Sequence, residues 1–155
     1  TMPFNVQPSS GLIALFYGSA TGLGSSGRTQ VLTPRKADLM THLGATLLGN
    51  RDVDGDGYTD LLVGTSPYGR PNDGSDYPGQ IWVYRGGPNG LPARPSYRMA
   101  GHGNDELGTS LEVGDVSGDG IADLMAGSGW FTSRLTHDGV VRIFLGAKPD
   151  AQVKR

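Results

Sequence analysis

Two nine-residue windows hold the side chains best placed to do chemistry: DVDGDGYTD at 52–60 and DVSGDGIAD at 115–123. Positions 1, 3 and 5 carry oxygen-bearing side chains, Asp52, Asp54 and Asp56 in the first window and Asp115, Ser117 and Asp119 in the second. A tight loop can point alternate side chains at one centre. Position 6 is glycine, Gly57 or Gly120, where the chain must turn sharply. Position 7 offers a backbone carbonyl, from Tyr58 or Ile121, and position 9 closes the window with Asp60 or Asp123. Hard oxygen donors in that number suit calcium better than zinc or copper, so two Ca²⁺ sites are expected. Four carboxylates crowded into the first loop would repel without a cation, which weighs against plain Asp-Gly hairpin turns. Arg51 is expected to stand as a cation beside that first cluster. A helical EF-hand shares the alternation but needs Glu at position 12, where Val63 and Ala126 stand inside apolar runs.

The elements that must hold these loops are short apolar runs of four to eight residues bounded by Gly, Pro, Asn and Asp, with no sustained helical periodicity. A unit of 60 to 68 residues recurs: LGATLLGNRDVDGDGYTDLLVG (43–64) matches LGTSLEVGDVSGDGIADLMAG (107–127), the first with one extra residue before its Asp cluster. LIALFYGSATGL (12–23), IWVYRGGPNGL (81–91) and VRIFLGAKPD (141–150) repeat a second motif of apolar run, aromatic and glycine turn. The unit predicts strand A at 44–51 and 108–114, B at 60–65 and 123–127, C at 12–17, 80–85 and 140–145, and D at 29–33 and 95–99. Strands B and C are apolar on successive residues, so both faces of each sheet should be covered. Repeated four-stranded sheets of this kind describe an all-β, partial β-propeller of about two and a half antiparallel blades. The expected divisions are a partial blade at 11–42, a blade at 43–100, a partial blade at 101–147 and a tail at 148–155.

Composition narrows the function classes. Thirteen basic residues against 15 acidic give no electrostatic case for nucleic acid. Cysteine is absent, so neither disulfides nor thiolate zinc sites are available, and no apolar stretch is long enough for a transmembrane helix. The 13 Asp against 2 Glu favour turns and metal loops over helices. GLGSSG at 22–27 fits a dinucleotide pattern but leads into TQVLTP rather than an amphipathic helix, so it reads as a turn. His42, His102 and His137 are scattered through loops, and G-x-S-x-G and H-E-x-x-H are both missing; no catalytic residue is expected.

The repeat resembles the FG-GAP repeat of integrin α-subunit propellers and their bacterial relatives. Leu43-Gly44 and Leu107-Gly108 stand where that family has Phe-Gly, the Asp loops match its calcium loop, and Gly64-Thr65-Ser66-Pro67 and Gly127-Ser128-Gly129 stand for its Gly-Ala-Pro. The segment 100–108, AGHGNDELG, resembles its lead-in to strand A. The resemblance implies a propeller of about seven blades, so the remaining blades would come from a longer parent chain or from self-association.

Two long B-to-C loops, SPYGRPNDGSDYPG (66–79) and SGWFTSRLTHDG (128–139), carry aromatics beside charges. Tyr68, Arg70, Tyr77, Trp130, Arg134 and His137 are the ligand-face candidates, the resemblance placing such loops on the face opposite the calcium loops; the alternative is that Tyr68, Tyr77, Trp130 and Phe131 tuck against neighbouring blades. Trp82, whose repeat equivalents are Ala14 and Arg142, is expected to pack rather than bind. The expected function is a calcium-stabilised, non-enzymatic segment for adhesion or binding of a protein or glycan ligand. Its place is extracellular, at the cell surface or in the periplasm, where calcium matches the affinity of such loops. The rival expectations are a sugar-binding lectin propeller and an accessory domain of a polysaccharide-acting enzyme.

Overall fold

The computed structural model describes residues 11–23, 27–34, 42–65, 78–129, 131 and 138–146. Among them are eleven strands and no helix. β1 (Ile13–Phe16) pairs antiparallel with β4 (Thr29–Leu32), and β2 (Gly18–Ser19) with β3 (Gly22–Leu23) makes a minimal hairpin between them. β5 (Leu43–Arg51), β6 (Asp60–Thr65), β7 (Gln80–Tyr84) and β8 (Tyr97–Ala100) form a four-stranded antiparallel sheet in chain order. β9 (Leu107–Gly114), β10 (Asp123–Ser128) and β11 (Val140–Phe144) form a three-stranded one. The grouping follows the expected C-D, A-B-C-D, A-B-C order and is consistent with partial β-propeller blades.

Strand ends differ slightly from the sequence expectation. β8 begins at Tyr97 rather than 95, because Pro95 has no N–H to give a ladder. The β2–β3 hairpin falls where the sequence shows only a glycine turn.

Successive residues of a strand face opposite ways, and the middle sheet uses both faces. Leu62 opposite Val83, and Ile81 opposite Met99, turn toward the three-stranded sheet and pack with Leu107, Val113, Leu124 and Ala126. Val63 opposite Trp82, with Tyr84, turns the other way onto Ile13, Leu32 and Leu43. Trp82 is buried as expected of a packing residue; its indole N–H donates to Gln80 Oε1 at 2.7 Å and the Arg98 guanidinium lies 4.0 Å from its ring centre. The three sheets are therefore layers joined by two separate apolar seams, with β6 and β7 shared between them. Both Asp windows lie at the turn between first and second strand of a sheet, β5–β6 and β9–β10, and so at the same end of the layers.

Candidate metal centre

In the first loop, Asp52 organises the turn. Its Oδ1 accepts from the Gly55 and Asp56 amides at 2.7 and 3.2 Å, and its Oδ2 from the Gly57 amide at 2.8 Å. Those bonds, led by Gly57, hold its pKa below the ordinary carboxylate value. Gly57 has φ +90°, the left-handed turn that position 6 requires. Asp54 accepts from the Asp56 amide, and Asp56 from the Tyr58 amide. Asp60, at the start of β6, is buried and does something else: Oδ2 accepts from the Val53 amide at 2.8 Å and Oδ1 from the Gly86 amide at 2.7 Å. It clamps the loop to the chain leaving β7.

The second loop repeats this wiring 63 residues on. Asp115 Oδ1 accepts from the Gly118 and Asp119 amides at 2.6 and 3.1 Å, and Oδ2 from Gly120 at 2.8 Å. Asp119 accepts from the Ile121 amide, and buried Asp123 takes the Val116 and Ser117 amides on one oxygen and the Gly146 amide on the other. Gly146 follows β11 as Gly86 follows β7, so the clamp is a property of the repeat.

The structure brings Asp52, Asp54 and Asp60 together, with one carboxylate oxygen of each within 4.8 Å of the others. Calcium–oxygen bonds of 2.3–2.6 Å put two ligands of one ion at most about 4.6–5.2 Å apart, so this set fits that cation. The oxygens are hard donors, and each of the three carboxylates retains lone pairs beyond those the amides use. Asp56 lies outside that trio, its carboxylate bonded to the Tyr58 amide. Equivalent Asp60 and Asp123 differ electrostatically. Burial pushes the Asp60 carboxyl up, with Asp54 and Asp52 adding repulsion, whereas the Gly146 amide leads the bonds that pull Asp123 down. The second loop has Ser117 where the first has Asp54, one charge fewer beside the clamp.

The cation beside the first cluster is Arg85, ion-paired with Asp54 and also donating to the Tyr97 hydroxyl at 3.3 Å. The expected cation, Arg51, points elsewhere: it donates to the carbonyls of Asn50 and Val113. Arg85 escaped sequence reasoning because only the folded turn after β7 sets residue 85 beside 54. The two clamping glycines carried a readable signal, since Gly86 and Gly146 both follow the aromatic motif of strand C.

The ligand-face candidates Tyr68, Arg70, Tyr77, Trp130, Arg134 and His137 lie outside the described residues. In the third sheet, Arg142 bonds Asp105 Oδ2 and Ser128 Oγ, both at 2.7 Å, and lies 5.1 Å from the Phe131 ring centre. Asp105 is buried, so this pair anchors the lead-in loop to β11.

An FG-GAP-like repeat family matches residues 52–126, from the first residue of the first loop to β10. Phosphatidylinositol-glycan-specific phospholipase D of Homo sapiens is 31% identical over 106 residues, 63% of this chain and 12% of that protein. Integrin alpha-E of Homo sapiens is 30% identical over 111 residues, 68% of this chain and 9% of that protein. Integrin alpha-PS2 of Drosophila melanogaster is 34% identical over 119 residues, 69% of this chain and 8% of that protein. The chain thus spans about a tenth of the length of these relatives. Among the described residues, no helix is long and apolar enough to cross a membrane.

Proposed function

We propose, from the match of residues 52–126 to the FG-GAP-like repeat family, that the chain is a calcium-stabilised β-propeller segment serving adhesion or protein binding outside the cell, without catalytic activity. The observation that carries this is the Asp52, Asp54 and Asp60 trio, set in a loop whose hydrogen bonds recur around Asp115 and Asp123. Asp52, Asp54, Asp56 and Asp60 with the Tyr58 carbonyl would hold one ion, and Asp115, Ser117, Asp119 and Asp123 with the Ile121 carbonyl the other. Bound calcium supplies positive charge that relieves the carboxylates' mutual repulsion. The protein's part is to fix the oxygens: Asp52 and Asp115 each gather three amides, while Asp60 and Asp123 tie the loops to the ends of β7 and β11. In this reading residues 11–42, 43–100 and 101–147 are a partial blade, a blade and a second partial blade.

The extracellular placement follows from calcium. Extracellular modules commonly bind it at about 10⁻⁴–10⁻³ M, far above what the cytosol supplies. Two integrin relatives support protein binding as the task.

The test has two parts. Calcium at ten to a hundred times Kd, bound only to the folded state, adds about 1.4–2.7 kcal/mol per site, so EDTA should lower the melting temperature visibly. Cells plated on the immobilised chain should hold in millimolar calcium and release in EDTA. Melting that ignores EDTA removes the metal from the proposal, and adhesion no greater than to an inert protein removes the function.

A further inference from the structure

The second and third sheets meet through a backbone bridge between Gly79 and Leu107, as the first and second meet through Gly11 and Leu43. At the other end of each junction, beside an Asp loop, the layers hold an open slot. The slot between the second and third sheets has a volume of about 360 Å³, within the range of small-molecule sites. Leu62, Val83 and Met99 line it from one sheet, Leu124 and Phe144 from the other. Into this apolar lining the structure sets one ion pair and one hydroxyl: Arg85 pairs through Nε with Asp54 and donates through Nη1 to the Tyr97 hydroxyl at 3.3 Å. The Arg85 and Asp54 side chains are 33% and 11% exposed, so the pair sits at the wall of the slot and not in open solvent. Arg98 also borders the slot, but its guanidinium lies over Trp82, whose ring packs on the opposite face of the sheet.

The pair is peculiar to this repeat. The slot between the first and second sheets, about 300 Å³, has Tyr17 at the Arg85 position, its hydroxyl donating to Gln30 Oε1. The third repeat has Leu145 there, and its loop has Ser117 in place of Asp54. That loop nevertheless keeps the same amide wiring around Asp115 and Asp123. The fold of the loop therefore does not require the Arg85–Asp54 pair.

We propose that this slot binds a small organic acid, its carboxylate on Arg85 and its apolar body between the sheets, and that calcium in the first loop favours the bound form. A guanidinium fork recognises carboxylates through paired N–H donors, and the Asp54 contact shows that a carboxylate fits against this one. Calcium takes Asp54 as a ligand and so strips Arg85 of its carboxylate on an apolar wall, where an unpaired charge is costly; an incoming acid restores the pair. Sheets packed about 10 Å apart admit one ring or alkyl chain between them rather than a strand, so the occupant is a small molecule. The calcium dependence rests on the metal reading of the first loop; the seat on Arg85 does not.

The probe is hydrocinnamate, with its neutral amide as control, titrated into the full chain while NMR follows the backbone amides of residues 83–85 and 97–99. With calcium present the acid should saturate these shifts at millimolar concentration, about tenfold more tightly than in EDTA, and the neutral amide should not bind. Reciprocally, the acid should tighten calcium at the first loop by the same factor. Asp54→Asn removes the competing charge without a metal, so in EDTA it should bind the acid as tightly as the unchanged chain does in calcium. Arg85→Gln should lose acid binding in both conditions. Absence of acid binding both to the unchanged chain in calcium and to Asp54→Asn overturns the proposal, as does equal binding of acid and neutral amide. Acid binding that survives Arg85→Gln makes the ion or another group the seat, and binding that appears only after residues 147–155 are removed makes the chain's own tail the occupant; either also overturns it. Acid binding by Asp54→Asn beside an unchanged chain indifferent to calcium overturns the calcium dependence alone, and melting with and without EDTA then decides the metal reading separately.

Discussion

Gly79→Ala and Gly139→Ala form a matched pair whose difference measures the sheet junction. Both glycines have φ near +65°, so a Cβ costs each about 1–2 kcal/mol of left-handed strain, and the smaller freedom of the unfolded alanine chain affects both alike. Only Gly79 faces a neighbour. Its Cβ would stand 2.3 and 2.4 Å from the nitrogen and oxygen of Leu107, backbone atoms that no rotamer can move aside. The relief available is to push β9 off, which gives up the Leu107 N–H bond to the Pro78 carbonyl, about 1 kcal/mol, and the burial of Leu107, about 1.5–3 kcal/mol. Gly79→Ala should therefore cost about 3–6 kcal/mol against about 1–2 for Gly139→Ala. For a chain of this size each kcal/mol moves the melting point about 2–4 °C, so a gap of about 5–15 °C is expected in calorimetric melts with calcium present. Melting points within about 2 °C of each other would refute both the clash and the open junction at Gly139.

Three further outcomes are expected. Arg85→Gln removes a positive charge beside the first loop and frees Asp54, so calorimetric titration should show calcium binding there tightened by about tenfold, the effect of roughly 1.4 kcal/mol of charge repulsion, with the second loop unchanged; a weaker first site would show that Arg85 builds the loop instead of competing for it. In EDTA, Asp123→Asn should destabilise more than Asp60→Asn: Asp123 has a lowered carboxyl whose stabilisation is present at neutral pH and lost as pH falls through its folded pKa, while the raised Asp60 is costly when charged. Urea titrations from neutral to acid pH check the order, and an acid limb unchanged by Asp123→Asn would count against the clamp. Arg142→Ala strips the partner from buried Asp105 and should cost about 1–3 kcal/mol by urea unfolding, with Arg142→Lys recovering only part, because the guanidinium reaches Asp105 and Ser128 together.

The parts of this fold readable in the sequence are those governed by neighbours along the chain. β6 and β7 declare themselves through Leu61–Val63 and Ile81–Val83, since continuous apolar runs between turn residues need cover on both faces. The Asp loops are equally local: Asp52 and Asp115 bond amides three to five residues away, so spacing alone specifies the turn. What spacing could not specify lies across longer separations. Asp60 reads as a closing ligand by its position in the motif, yet its second oxygen is held by an amide 26 residues on, and Asp123 by one 23 residues on. Arg85 reads as a strand end until the turn sets it against Asp54, and Arg51, adjacent in sequence, is directed away by its bonds to Asn50 and Val113.

Two classes of contact with different reach therefore hold the chain together. The Asp clamps act inside one sheet, joining the loop between its first two strands to the end of its third. The glycine bridges and apolar seams act between sheets, and the two seams share no residue although β6 and β7 feed both by alternation: Leu62, Ile81 and Val83 to one side, Val63, Trp82 and Tyr84 to the other. Stability in such a stack is close to a sum of sheet and junction contributions, so loss of one clamp should loosen one sheet while its neighbours keep their seams. The middle sheet is the exception. A cavity at Trp82 empties the first seam and one at Ile81 the second, but a change that tilts β7 itself disturbs both at once, which makes that strand the position where the repeat is least modular.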